Sequence, residues 1–357
     1  MSENHGFENP MQTDGFDFIE FASPDPSKLI KDFEHLGFKA IAKHRSKDVR
    51  LFRQGEINFI INNEPNSHAK AFAEKHGAGA CAMGFRVKDA EFAFKRAVEL
   101  GAKPFEDSHY GEGELRIHAI YGIGDSLIYF IDKYATENIY DIDFIYQKAE
   151  ETQHTGAGLK IIDHLTHNVK HGEMDKWAGF YEKLFNFREI RFFDIKGQQT
   201  GLISRALTSP CGKIRIPINE PTDDKSQIAE FVDEFNGEGI QHIALSTENI
   251  YRTVEDLKNL GIKFLNTPDT YFDMIIERVP WHKEDLESLR KHRILLDGTP
   301  TPEGGLLLQI FTHNMLGPVF FEIIQRKGNE GFGEGNFQAL FEAIERDQIA
   351  RGVLTEK

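Results

Sequence analysis

Three side chains that can bind a metal stand inside apolar, strand-like runs: His164 in IIDHLTHNV, His242 in GIQHIAL and Glu322 in GPVFFEIIQ. Glu322 carries the strongest signal. A strand alternates its side chains, so Phe320, Glu322 and Ile324 share one face. A lone ionised carboxylate on an apolar face is costly, and a bound cation removes that cost. The competing readings are an edge strand with Glu322 in water and a buried ion pair. A lone histidine in an apolar strand is more often a hydrogen-bonded core residue than a ligand, and with 15 histidines in the chain neither His164 nor His242 means much singly. Together, two imidazoles and one carboxylate leave three octahedral positions open, the arrangement of non-haem Fe(II) oxygen chemistry, although Zn or Mn could occupy it. His167 lies three residues from His164 and is expected on the other face. Asp163 is read as opening the strand, with positioning of the loop or the imidazole as the alternative, and Gln241 as pointing away from His242.

What links the three is an internal repeat. Residues 16–38 (FDFIEFASPDPSKLIKDFEHLGF) have the shape of 162–187 (IDHLTHNVKHGEMDKWAGFYEKLFNF): a short apolar strand, a polar turn, then an amphipathic helix. Residues 81–103 lie over 241–263 without a gap, each a strand followed by a helix with an acidic start (Asp89, Glu248) and a glycine stop (Gly101, Gly261). GDSLIYFID at 124–132 matches GPVFFEIIQ at 317–325. His164 then falls opposite Phe18, His242 opposite Ala82 and Glu322 opposite Tyr129. The second copy has a metal-capable residue wherever the first has one that cannot ligate. The pattern predicts an α+β chain of two domains, each of paired βαβββ modules: 12–133 without metal, a polar linker at 134–158, and a metal-binding domain at 159–330. A tail at 331–357 opens on GFGEGN and continues as a helix with Phe337, Leu340, Phe341 and Ile344 on one stripe.

The 357 residues suit two domains, and 40 % hydrophobic residues suffice for a sizeable core. A net charge of −15 disfavours nucleic acid and anionic lipid as partners. Two distant cysteines, Cys81 and Cys211, argue against a disulfide framework, and no run reaches the length of a membrane span. The expected location is the cytoplasm.

Several segments carry a resemblance. DHLTHNV (163–169), FYEKLFNFRE (180–189), RIPINEP (215–221), GEGIQHIAL (237–245), LLLQIF (306–311), GPVFFEIIQRKG (317–328) and GFGEGNFQALFE (331–342) resemble the 4-hydroxyphenylpyruvate dioxygenase family, and RQGEINFIINNEPNS (53–67) resembles its bacterial branch. The resemblance spans nearly the whole chain. It implies the vicinal-oxygen-chelate (glyoxalase-like) fold, with half-barrel sheets, and one Fe(II) on His164, His242 and Glu322. It implies that Gln309 and Gln241 touch the keto acid or ring as catalytic groups. Ser204, Asn219 and Gln227 would meet the phenol end, Phe311, Phe320, Phe332 and Phe337 would wall the ring, and Asn336 would line a lid made by the C-terminal helix.

The implied reaction converts 4-hydroxyphenylpyruvate and O2 to homogentisate and CO2 by oxidative decarboxylation, ring hydroxylation and side-chain migration. The substrate brings its own 2-oxo acid, so no second oxo acid is needed. Related readings are a 4-hydroxymandelate synthase, which oxidises the benzylic carbon of the same substrate, and an extradiol catechol dioxygenase. A non-enzymatic reading is a metal-free binding protein of the same fold. Phe337 favours ring hydroxylation, because the synthase carries a smaller aliphatic residue there. The family also suggests a homo-oligomer, dimer or tetramer, with the N-terminal domain as its interface.

Overall fold

The computed structural model describes residues 7–107, 110–135, 137–148, 153–196, 200–299, 301–333, 335–338, 348–349 and 351–352. Apolar alternation and β-branched runs produce the strands of two curled sheets. The N-terminal sheet uses β1 (Phe16–Ala22), β2 (Lys39–His44), β3 (Val49–Gln54), β4 (Ile57–Asn62), β5 (Gly79–Arg86), β6 (Pro104–Phe105), β7 (Ala119–Tyr121), β8 (Leu127–Ile131) and β9 (Phe144–Tyr146). The C-terminal sheet uses β10 (Leu159–Asn168), β11 (Arg188–Lys196), β12 (Gly201–Thr208), β13 (Arg215–Pro221), β14 (Gly239–Thr247), β15 (Leu295–Gly298), β16 (Leu306–Phe311) and β17 (Phe320–Lys327). Their orders, β6-β7-β8-β5-β1-β4-β3-β2-β9 and β11-β12-β13-β10-β14-β17-β16-β15, are one order read from opposite ends, with β9 added.

The repeat extends to register. Phe18 faces Gly84, which faces Tyr129; His164 faces Ala244, which faces Glu322. Ala82 sits beside Leu127 as His242 sits beside Phe320. The matched helices differ from expectation in one detail. Asp89 caps Ala90–Glu99 by accepting from the Phe92 amide, but its counterpart is Asn249, which caps Ile250–Asn259 by accepting from the Arg252 amide. The Glu248 carboxylate is out in solvent, 3.6 Å from Lys160 Nζ. Asn competes as well as Asp for this position because the cap needs a short side-chain acceptor, not a charge. Gly101 and Gly261 follow their helices at φ +98° and +101°, as glycine stops should. The linker is partly ordered structure: Ile139–Asp143 is helical, and β9 pairs with β2.

Both faces of the central strands are covered, so β1 and nearly all of β10 are buried. One hydrophobic cluster lies between the sheets and their helices and runs through both halves. Phe85 and Phe130 from the first half meet Phe185 from the second, with ring centres 5.4 and 6.1 Å apart. Each concave face has its own smaller cluster. Among the described residues no helix is long and apolar enough to cross a membrane, and both cysteines are free thiols.

Candidate metal centre

The three strands β10, β14 and β17 lie side by side, so residues at matching ladder positions converge on the concave face. His164, His242 and Glu322 present ligand atoms all within 4.8 Å of one another, and each is buried. Glu322 Oε2 lies 3.1 Å from His164 Nε2 and 3.4 Å from His242 Nε2. Glu322 is only 1 % exposed, which removes the water-facing reading. No lysine or arginine among the described residues pairs with it; its close ionisable partners are the two imidazoles. Burial works to raise the Glu322 pKa, but His164 and then His242 hold it down at about 2. His164 shifts upward: burial opposes its charge, and Glu322 and Asp163 outweigh that. Burial lowers His242. An ionised carboxylate and two inward nitrogens, closed off from water, form a donor set suited to a divalent cation.

Each ligand is fixed from behind. His164 Nδ1 lies 2.9 Å from Asp163 Oδ1, and Asp163 in turn accepts from Arg326 Nε and Nη2, both at 2.8 Å. Burial opposes ionisation of Asp163, yet Arg326 holds its carboxyl well below the usual range. Asp163 therefore orients the imidazole; it does more than open the strand, which begins at Leu159. His242 Nδ1 lies 2.9 Å from Gln241 Oε1. Gln309 Nε2 donates to Glu322 Oε1 at 2.8 Å. Such outer partners set ring orientation and donor strength at metal sites.

Residues 331–333 and 335–338 pack beside the cup. Gln309 also donates to the Phe332 carbonyl at 3.2 Å and accepts from Asn336 Nδ2 at 2.8 Å, while Asn336 accepts from the Tyr271 hydroxyl at 2.5 Å. Arg326 Nη1 donates to the Gly331 carbonyl at 2.6 Å. Phe332 sets its ring edge-on to His164 at 5.5 Å, and Phe337 stacks on Phe193 at 6.2 Å. Residues 335–338 are helical, and Leu340, Phe341 and Ile344 of the expected stripe lie outside the described residues.

Of the residues singled out in the sequence, Ser204, Gln309, Phe311, Phe332 and Phe337 line the small cavity over the triad, about 20 Å³. Gln227, Gln241 and Phe320 line a neighbouring cavity of about 340 Å³. Phe320 stacks on His242 at 4.9 Å. Asn219 is buried next to Ser204 and donates to Asn168 Oδ1 at 3.2 Å. Thr166, Phe193 and Pro217 also line the triad cavity and escaped the sequence reading. Thr166 had a signal: it stands two residues beyond His164, on the same face. Its Oγ1, like Ser204 Oγ and Asn219 Oδ1, is buried and has no hydrogen-bond partner among the described residues. His167 takes no part; its Nε2 lies 2.7 Å from the Tyr181 hydroxyl of helix Met174–Phe185.

Residues 7–145 match the model for the hydroxyphenylpyruvate dioxygenase N-terminal domain, and 161–276 match that for the glyoxalase/bleomycin resistance protein/dioxygenase superfamily. The chain is 57 % identical to a 4-hydroxyphenylpyruvate dioxygenase of Legionella pneumophila, over 98 % of each chain. It is 56 % identical to that of Pseudomonas aeruginosa over 97 % of each, and 58 % identical to hemolysin VllY of Vibrio vulnificus over 97 % of this chain and 98 % of that one. Among solved structures, a mutant of 4-hydroxymandelate synthase from Streptomyces coelicolor superposes with TM-score 0.82 at 26 % identity, covering 95 % of this chain and all of that one. A xylose isomerase-like TIM barrel/4-hydroxyphenylpyruvate dioxygenase fusion protein gives 0.79 at 34 % identity; it covers 97 % of this chain, which spans 55 % of the fusion. Fold and triad thus define a two-domain glyoxalase-type metalloenzyme. Within that class, the chain belongs to the 4-hydroxyphenylpyruvate dioxygenase family.

Proposed function

We propose that the chain converts 4-hydroxyphenylpyruvate and O2 to homogentisate and CO2, with one Fe(II) held by His164, His242 and Glu322. The observation that carries this reading is the buried triad roofed by the tail. Bound Fe(II) would supply a chelation point for the 2-oxo acid and the electrons that activate O2. The chain's own part is positioning and exclusion of water. Phe193, Phe311, Phe332 and Phe337 wall an aromatic ring, and the tail shuts the cup against solvent. The hydroxyls of Ser204 and Thr166 and Asn219 Oδ1, without partners among the described residues, suit the polar groups of the substrate, Ser204 and Asn219 being the phenol contacts. Gln309 ties Glu322 to the tail and lies at the cavity wall, where its amide can meet the keto acid. Gln241 acts by holding His242, and Gln227 serves ligands that extend past Phe320.

The test is direct. Protein incubated with Fe(II), ascorbate and 4-hydroxyphenylpyruvate should give homogentisate by chromatography, with one iron per chain by elemental analysis. Glu322→Gln, His164→Ala and His242→Ala should each lose iron and turnover while keeping the far-UV spectrum. Wild-type turnover in any one of them would overturn the triad. We also place the protein in the cytoplasm, as a dimer or tetramer joined through its N-terminal half, where Phe92 and Ile145 are 52 % and 65 % exposed; sedimentation of the intact chain decides the latter.

A further inference from the structure

The N-terminal cup has lost its metal ligands, but it has not been filled. A cavity of about 130 Å³ remains on its concave face, against about 20 Å³ under the tail in the C-terminal cup. Its floor is built at the ladder positions of the triad: Phe18 where His164 stands, Tyr129 where Glu322 stands. The two rings touch at 5.7 Å, and Gly84 between them leaves no room for a side chain, since a Cβ there would meet Phe18 at 2.8 Å. The floor is therefore aromatic and rigid.

One step along β1 the cup acquires a carboxylate. Glu20 faces Ala82 as Thr166 faces His242, so it occupies the equivalent of the C-terminal cup's unpartnered hydroxyl. Glu20 is 7 % exposed. Its Oε1 accepts from Asn62 Nδ2 at 2.9 Å and lies 3.7 Å from Cys81 Sγ. Its Oε2 has no hydrogen-bond partner among the described residues, and the side chain lines the cavity. Burial raises its pKa, and Asp107 adds to that, although Asn62, Cys81 and the charge of Lys47 pull the other way. A largely buried carboxylate that lines an aromatic cavity and has only one of its oxygens hydrogen-bonded among the described residues is an incomplete pair.

The other polar groups decide what completes it. Lys47, the cation at the rim, is committed to Glu114 at 3.0 Å, with Asp107 at 3.9 Å. Asp143 is engaged by Arg45. His44 accepts at Nδ1 from the Ser46 and Lys47 amides, and burial lowers its pKa, so it adds no charge. The lining therefore holds Glu20, Asp107, Glu114 and Asp143 against Lys47 alone. This field rejects an anionic 2-oxo acid, so the cup is not a second copy of the substrate site.

We propose that the N-terminal half-barrel is a binding site for a small organic cation, a primary amine carried on an aromatic or apolar body, with its ammonium on Glu20 and its body against Phe18 and Tyr129. The assignment does not rest on the reading of the C-terminal centre.

The probe is 2-phenylethylamine hydrochloride, titrated into the full-length protein labelled at isoleucine methyls, with 4-phenylbutyrate as the anionic control. Ile60, Ile117 and Ile139 line the cup. Their methyl signals should move saturably with the amine, with a dissociation constant on the order of 1 mM or tighter, and stay still with the acid. Glu20→Gln keeps an acceptor for Asn62 and should weaken amine binding about tenfold or more, with homogentisate formation unchanged. Absence of saturable shifts, equal response to the acid, shifts confined to Ile195 and Ile228 of the other cup, or undiminished affinity in a folded Glu20→Gln protein would each overturn the proposal. Should Glu20→Gln fail to fold, the wild-type methyl shifts decide it alone.

Discussion

His164 and His167 differ by what their rings touch. The first faces a carboxylate and is drawn toward the charged form; the second is sealed beneath Tyr181 with no acid near, and burial lowers its pKa to about 3. An unfolded imidazole titrates near 6.5, so the unfolded chain takes up a proton that the folded one refuses. The contribution of a neutral His167 is complete above pH 6.5 and is lost as pH falls from there toward 3. At pH 4 the loss amounts to about 3 kcal/mol. His167→Gln, which can still meet the Tyr181 hydroxyl, should flatten the fall of denaturation midpoint between pH 6.5 and 4; an unaltered slope would remove His167 as the cause. Phe337 makes a different residue-scale prediction. It lines the triad cavity and stacks on Phe193, so it presses on any ring held there. A misplacement of about 1 Å in a bound substrate can cost about a hundredfold in rate. Phe337→Ile opens that face, and the variant should turn over more slowly and yield a measurable share of 4-hydroxymandelate. A pure homogentisate peak at unchanged rate would place Phe337 outside the reaction.

At the scale of elements, the start of the tail forms a strap tied to the surroundings of the triad through Gln309 and Arg326. The glycines of GFGEGN are there for close approach more than for looseness. A Cβ on Gly333, at φ +75°, would lie 2.1 Å from Gln309 Oε1, and one on Gly335 would lie 2.4 Å from Arg278 Nη2. Gly333→Ala should push the strap off Gln309. Iron content should remain near that of the wild type, since all three ligands precede the strap, while coupled turnover drops at least about tenfold. O2 uptake matching homogentisate formation at the wild-type rate would count against the strap. Cutting the chain at Gly331 should act in the same direction and more strongly. These elements were unequally legible in the sequence. The triad could be read because the repeat supplies its own comparison: Phe18, Ala82 and Tyr129 stand at the matching positions of the first copy. Register survived duplication because a one-residue slip would turn every side chain to the wrong face. The Asp163–Arg326 pair could not be read, since its partners are 163 residues apart and neither sits in a periodic pattern. Nor could the split that sends Gln227 and Gln241 to a second cavity, because that depends on where the Phe320 ring lies and not on spacing.

At the scale of the molecule, the two halves share one core, and the N-terminal half backs the strand that carries Glu322. Phe59, fully buried in β4, packs at 6.1 Å on Phe321, the residue before Glu322 in β17. Phe321 points outward from the cup, so the ring of Phe59 sets the back of the strand whose front carries the carboxylate. His76 stacks on Phe235 at 4.9 Å across the same boundary, and the Gly79 and Gly239 backbones close around that ring. A boundary of this kind leaves no room for independent unfolding. Calorimetry of the intact chain should therefore show one transition; two resolved transitions would separate the halves. Phe59→Ala removes a fully enclosed ring, with an expected cost of about 3–5 kcal/mol. Its particular consequence is at a distance: β17 loses its backing, Glu322 loses its fixed approach to His164 and His242, and iron should bind more weakly although no ligand has changed. Equilibrium competition for Fe(II) against a chelator measures this. Phe52→Ala provides the control, because Phe52 is equally buried but packs on Phe33 within its own half. If both variants lose stability alike and only Phe59→Ala loses iron affinity, the N-terminal core acts on the centre through Phe321; if iron affinity falls equally in both, the effect is general loosening and the coupling through Phe59 is refuted.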